Sequence, residues 1–183
     1  MSAQIEDEIA GHTAKLSLMV QQLENAAGQQ NIVADIAMLV CFIKRRCNLF
    51  FREQEISTLP ASELTGYLDE LAEIASYSEK MIAVSCDVNE TLSVRRATLF
   101  YDFFHAVIDW AAQQSSPHVM AHLRDRNGTV IMRLLPYTSP KDFTPDKKLS
   151  EAIALAGGKY GVEDLDDATA ISLTFPLEGD ENG

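Results

Sequence analysis

The stretch LFYDFFHAVIDWAAQQSSPHVMAHLRDRNGTVIMRLL, residues 99–135, contains the two patterns that decide the fold. Its first half belongs to a long helix running from Leu92 to about Gln114, which carries Phe100, Tyr101, Phe103, Phe104 and Trp110. Its second half holds two period-two runs, VMAHLRD and TVIMRLLP, joined through RNG. Asn-Gly accepts the positive φ angles of a tight hairpin turn, so the two runs are expected to pair antiparallel. An aromatic-rich helix leading into a hairpin is the signature of a helix layered on a sheet, with the aromatics packed against the strands.

Working outward, SELTGYLDELAEIASYSEK (62–80) is expected to form a helix with Ser62 as its N-cap and acidic residues in its early turns. MIAVSCDV (81–88) alternates like a strand. Beyond the hairpin, Pro136, Pro140 and Pro145 mark a loose segment before a helix near Lys147 to Ala156. Two last strands are expected around KYGVED and ATAISLTFPL, separated by LDD and followed by a polar tail, EGDENG. This order of elements predicts an α+β layer.

Two helices precede that layer. In the first, Ile5, Ile9, His12, Leu16, Met19, Leu23 and Ala26 recur at alternating steps of four and three, a heptad-like seam. Gly28 sits where this helix could stop, and GQQN forms a short connection. The second helix, IVADIAMLVCFIKRRCNLFF, has two apolar stripes: Ile32, Ile36, Leu39, Ile43 and Phe50, and Val33, Val40, Cys47 and Phe51. A helix this apolar must bury more than one face, and pairing with a second copy into a dimeric four-helix bundle would achieve that.

Composition narrows the function. A net charge of −12 over 183 residues argues against a nucleic-acid partner, since phosphate backbones select clustered Lys and Arg. No run approaches the ~20 apolar residues needed to cross a bilayer, and the acidic start MSAQIEDEIAGH lacks the basic flank and apolar run of a signal peptide. A cytoplasmic chain is expected, or the cytoplasmic portion of a membrane sensor. Cys41, Cys47 and Cys86 lack disulfide or zinc spacing: Cys41 and Cys47 would lie about 9 Å apart along a helix, beyond the ~7 Å reach of a bridge. His118 and His122 would be about 13 Å apart on a strand, too far for a metal pair. Lys44, Arg45 and Arg46 read as a solvated helix face, or as a dock for an acidic partner such as a receiver domain. No P-loop, dinucleotide fingerprint or Ser-His-Asp order is present.

The segment 99–135, together with KLSEAIALAGGKYGVEDLDDATAISLTFPL and the two leading helices, resembles a sensor histidine kinase over nearly the whole chain. The resemblance implies two domains. Residues 1–56 would be a helical hairpin for dimerisation and phosphotransfer, and residues 60–179 a two-layer α/β sandwich of the GHKL (Bergerat) ATPase type. In that family the long helix carries a Glu and, four residues later, an Asn that helps hold Mg²⁺ against the nucleotide phosphates. Here those positions are His105 and Asp109. An aspartate can ligate Mg²⁺, but a histidine does not replace the carboxylate base. The family's Asp-x-Gly-x-Gly box is replaced by LLPYTSPKDF, and no glycine lies between Thr129 and Ala156. Phosphate cradles need the close backbone approach that glycine allows.

These departures lead to the expectation of a catalytically degenerate histidine-kinase-like signalling protein that acts through protein contacts as a homodimer. No cofactor is expected, with ATP and Mg²⁺ required only if kinase activity persists. The alternatives are a histidine phosphotransfer protein carrying phosphate on His12 between two-component partners, with a response-regulator receiver domain as partner, and an atypical active kinase using Asp109. Matching GHT (11–13) to the family's terminal Gly-His puts the acceptor position at Asp7, so the acceptor histidine would be absent; the other alignment makes His12 the acceptor. Thr13 and Ala14 follow His12 where acceptors generally have an acidic neighbour, and His12 lies on the apolar seam, so packing is the expected role.

Overall fold

A computed structural model describes residues 2–23, 29–78, 80–113, 118–137, 143–165 and 168–177. Ala26, Gly28, Pro140, Asp142, Asp166, Asp167, the side chain of Ile5 and the tail EGDENG lie outside the described residues. Two long helices come first, α1 (Ser2–Leu23) and α2 (Gln29–Glu55). A short strand β1 (Thr58–Pro60) leads to α3 (Ala61–Ser76), β2 (Met81–Asp87), a second short strand β3 (Thr91–Ser93) and α4 (Val94–Ala111). The hairpin β4 (His118–Arg126) and β5 (Thr129–Pro136) follows, then α5 (Lys147–Leu155), β6 (Lys159–Leu165) and β7 (Ala168–Pro176).

The five longer strands form one mixed sheet in the order β2-β4-β5-β7-β6. β2 and β4 pair parallel, with Met81 opposite His118 and Asp87 opposite Arg124, while the other neighbours run antiparallel. The parallel pair requires a crossover, which α4 supplies. The β4–β5 turn has positive φ at Asn127 (52°) and Gly128 (74°), the backbone expected of Asn-Gly. β1 and β3 pair antiparallel as a two-stranded ribbon that brings Leu59 opposite Leu92 and buries both. Neither short strand has a period long enough to register in the sequence.

Buried and open positions alternate along β4 and β5, so one face of the sheet lies beneath α3 and α4. α4 sits between the sheet and the helical hairpin. Phe100, Tyr101, Phe103 and Phe104 are all fully buried, each contributing about 1.5–3 kcal/mol of transfer free energy. α2 packs on α1, α3 and α4, and its Ala34, Met38, Leu39, Cys41, Phe42, Leu49 and Phe50 are buried. The hairpin therefore shares one continuous core with the sheet layer.

Three local expectations are corrected. The second helix begins at Gln29, so Gln29, Gln30 and Asn31 of the expected GQQN connection lie within α2. The third helix begins at Ala61 behind Pro60, whose extended backbone enters the helix without a side-chain cap, so Ser62 lies inside the first turn. The basic run on α2 is only partly solvated: Lys44 is exposed, but Arg45 pairs with Glu70 and stacks over the Tyr67 ring, and Arg46 pairs with Asp102 at 3.1 Å. At the helix ends, Ser93 accepts a hydrogen bond from the Arg96 amide and Asp146 from the Leu149 amide, capping α4 and α5. Gly157 closes α5 at φ 74°. Among the described residues no helix is long and apolar enough to cross a membrane.

Candidate functional site

α4 carries His105 and Asp109 one turn apart, on the side that faces the hairpin. α1 crosses the same region and presents His12 and Lys15, which share a helix face at a spacing of three. Between α1, α4 and α5 lies a cleft of about 530 Å³, lined by His12, Lys15, Arg46, Asp102, His105 and Asp109, with Trp110, Phe143 and Asp146 also on its wall. All three residues singled out in the sequence thus stand on one cleft.

The cleft is held by rings and ion pairs. The His105 ring stacks on Phe42 with centroids 3.8 Å apart at 19°, and Phe42 stacks in turn on Tyr101 at 5.3 Å. His12 meets Phe42 edge-on at 4.8 Å and His105 edge-on at 5.7 Å. Its ring therefore turns inward, towards α2 and α4 of its own chain. Lys15 Nζ donates to Asp109 Oδ1 at 2.7 Å, across 94 positions of sequence. Asp102 receives Arg46, and the Trp110 and Phe143 rings meet at 5.7 Å.

Burial governs protonation here. It pushes the His105 imidazole down to about 3, opposed by the Asp109 carboxylate and reinforced by His12 and Lys15. It also lowers His12, with Lys15 and Arg46 acting in the same direction and Asp109 and Asp146 against it. Both rings are neutral at physiological pH, and each retains one acceptor nitrogen. A second hollow of about 470 Å³ shares Lys15, His105 and Asp109 with the cleft and is lined also by Met19, Asp35 and Lys80, the last two ion-paired.

Residues not singled out by sequence complete the site: Lys15, Phe42, Asp102, Phe143 and Asp146. Lys15 had a signal, since it lies one turn beyond His12, but its partner could not be foreseen. His118 and His122 are remote from the cleft; His122 Nε2 lies 2.7 Å from Asp87 Oδ2 across the parallel pair. The three cysteines are free thiols, Cys41 buried and Cys47 and Cys86 half-buried, and burial pushes the Cys41 thiol up to about 11. Among the described residues no cluster of three or more His, Cys, Asp or Glu side chains is placed to hold a metal ion.

A mixed sheet under two helices, a long buried crossover helix facing a helical hairpin, and a terminal helix–Gly-Gly–strand unit together make a histidine-kinase-like fold of the GHKL type. Solved structures agree. The histidine kinase domain of the blue-light-activated kinase of Erythrobacter litoralis EL346 superposes with a TM-score of 0.55 at 15% identity, covering 96% of this chain and 90% of that one. The Acinetobacter baumannii histidine kinase AdeS gives 0.51 at 8% identity, covering 94% and 98%. Histidine kinase ThkA, solved in complex with the response regulator TrrA, gives 0.54 at 10% identity, covering all of this chain and 62% of ThkA. No protein-family model matches the chain, and no curated protein matches it.

Proposed function

We propose that this chain is a histidine-kinase-like signalling protein that does not transfer phosphate from ATP and acts through protein contacts as a homodimer. The observation that carries the reading is the Lys15–Asp109 pair at 2.7 Å. The carboxylate at the family's metal-holding position is already neutralised by an ammonium of the same chain. His105 offers no carboxylate and is buried against Phe42. Between Thr129 and Ala156 no glycine is available to bring backbone amides to a phosphate. Mg²⁺–ATP, the cofactor that the fold implies, does not fit these side chains, because phosphoryl transfer depends on a positioned metal and a phosphate cradle.

Residues 1–56 serve in this reading as the dimerisation hairpin and 60–179 as the degenerate ATPase domain. The second stripe of α2 supports the homodimer: Val33, Val40 and Phe51 are 52%, 46% and 51% exposed along a helix whose other face is in the core. A response-regulator receiver domain is the heterologous partner that best suits the fold, because ThkA was solved with one. A titration with ATP and Mg²⁺ tests the reading. No saturable signal is expected up to millimolar nucleotide, and saturable binding would reverse it in favour of an atypical kinase.

The second reading is a phosphotransfer protein that carries phosphate on His12. Its support is the placement of that imidazole, neutral, on the first helix of a kinase-like hairpin. The inward packing of the ring on Phe42 and His105 favours the first reading.

A further inference from the structure

The two hairpin helices are attached to the rest of the chain very differently. α2 has seven buried apolar side chains, packs on α3 and α4 as well as on α1, and is tied to the sheet layer and its helices by four ion pairs: Asp35–Lys80, Arg45–Glu70, Arg46–Asp102 and Arg52–Glu63. α1 has no fully buried residue among those described: Ile9, His12, Leu16, Met19 and Leu23 are each half-buried. It reaches α4 and α5 through two ion pairs, Lys15–Asp109 at 2.7 Å and Asp7–Lys148 at 3.7 Å. Both are open to solvent, with side chains 46% and 39% exposed in the first and 86% and 67% in the second. Gly11, which loosens a helix interior, stands on the cleft wall beside His12.

We infer that α1 is a lid over the cleft between α4 and α5, latched by Lys15–Asp109 and Asp7–Lys148 with His12 inserted against Phe42, and that it opens while α2 stays docked. Segments with few buried apolar contacts and solvent-exposed polar links open at the lowest free energy. Each exposed ion pair shifts an opening equilibrium by a factor of about two to five, and salt screens it. The latch joins residues of one chain, so it does not require a second copy. The lid does not depend on whether nucleotide binds. Opening uncovers Asp109, Trp110 and Phe143, so the lid controls access to the cleft for any ligand or partner segment.

Hydrogen exchange on the full chain tests the lid. In Lys15→Gln, amides of α1 are expected to lose protection by a factor of about two to five, with α2 amides unchanged. The reversed pair, Lys15→Asp with Asp109→Lys, should restore wild-type protection. Asp7→Asn, on the more exposed pair, should act in the same direction and guards against a folding defect in the first variant. Trp110, the chain's only tryptophan, provides a second readout: acrylamide quenching should rise with added NaCl in the wild type and start higher in Lys15→Gln. Unchanged α1 protection in both single variants, or equal loss in α1 and α2, would overturn the lid. An ATP titration of the same samples reports separately on the nucleotide reading, because nucleotide binding with intact lid behaviour rejects only that reading.

Discussion

The ring of Phe42 on α2 stacks on the ring of His105 on α4, with centroids 3.8 Å apart. This contact joins the helical hairpin to the long helix that lies on the sheet. It also sets the chemistry of the imidazole. Burial holds His105 neutral with its pKa lowered to about 3, so the folded chain refuses a proton that the unfolded chain accepts below about pH 6.5.

The pH dependence follows from that sign. Stability supplied by neutral His105 is fully present above the unfolded pKa and is lost as pH falls from about 6.5 towards 3, with a limiting slope of about 1.4 kcal/mol per pH unit for one proton. His12, also lowered, adds to the loss in the same direction. Replacing His105 by Phe keeps the stack and removes the proton site. Urea unfolding at a series of pH values should show a shallower acid decline in H105F than in the wild type. Equal slopes would refute the assignment.

The Arg46–Asp102 pair should count for more than a surface ion pair, because both side chains are mostly covered, at 15% and 21% exposure. Arg46→Met is expected to cost about 1–3 kcal/mol in urea unfolding by stranding the carboxylate. In the double variant with Asp102→Leu the two losses should fall short of additive by at least about 0.5 kcal/mol. Strict additivity would mean the pair does not hold α2 to α4.

Gly158 tolerates no side chain. A Cβ there would stand 2.3 Å from Cε1 of the fully buried Phe175 ring. Gly158→Ala should therefore destabilise by about 1–3 kcal/mol, lowering the melting temperature by roughly 2–4 °C per kcal/mol. Gly157 meets no neighbour, but its φ of 74° penalises any Cβ, so Gly157→Ala should cost about 1–2 kcal/mol.

Dimer formation is expected to depend on the outer stripe of α2. Val40→Asp and Phe51→Asp place charge at exposed positions, so the fold should survive with unchanged circular dichroism while light scattering shows the mass halve. A wild type that is already monomeric at micromolar concentration would reject the homodimer.

Phosphate carriage can be tested by incubation with a phosphorylated receiver domain. Neither wild type nor His12→Ala is expected to become labelled. Label that depends on His12 would move the function to the phosphotransfer reading.

Much of the architecture was legible locally. The helical spacing of 99–114, the Asn-Gly turn at 127–128 and the Gly-Gly after α5 each identify an element through forces acting within a few residues: side-chain periodicity, positive φ and backbone crowding. Boundaries were less legible. Ser62 looked like a cap, but Pro60 leads the chain straight into the helix. β1 and β3, three residues each, exist only because they pair with one another.

The order of elements, their apolar faces and the presence of His12, His105 and Asp109 on amphipathic helices are properties of the amino-acid sequence alone. Only the tertiary structure decided which stripe of α2 is covered, that β2 joins the sheet parallel to β4, and that Lys15 meets Asp109 across 94 positions. The reason is physical. Periodicity and turn chemistry are local properties of the chain, whereas the partner of a charge or an apolar face is chosen by the packing of whole elements, and no sequence spacing encodes that distance.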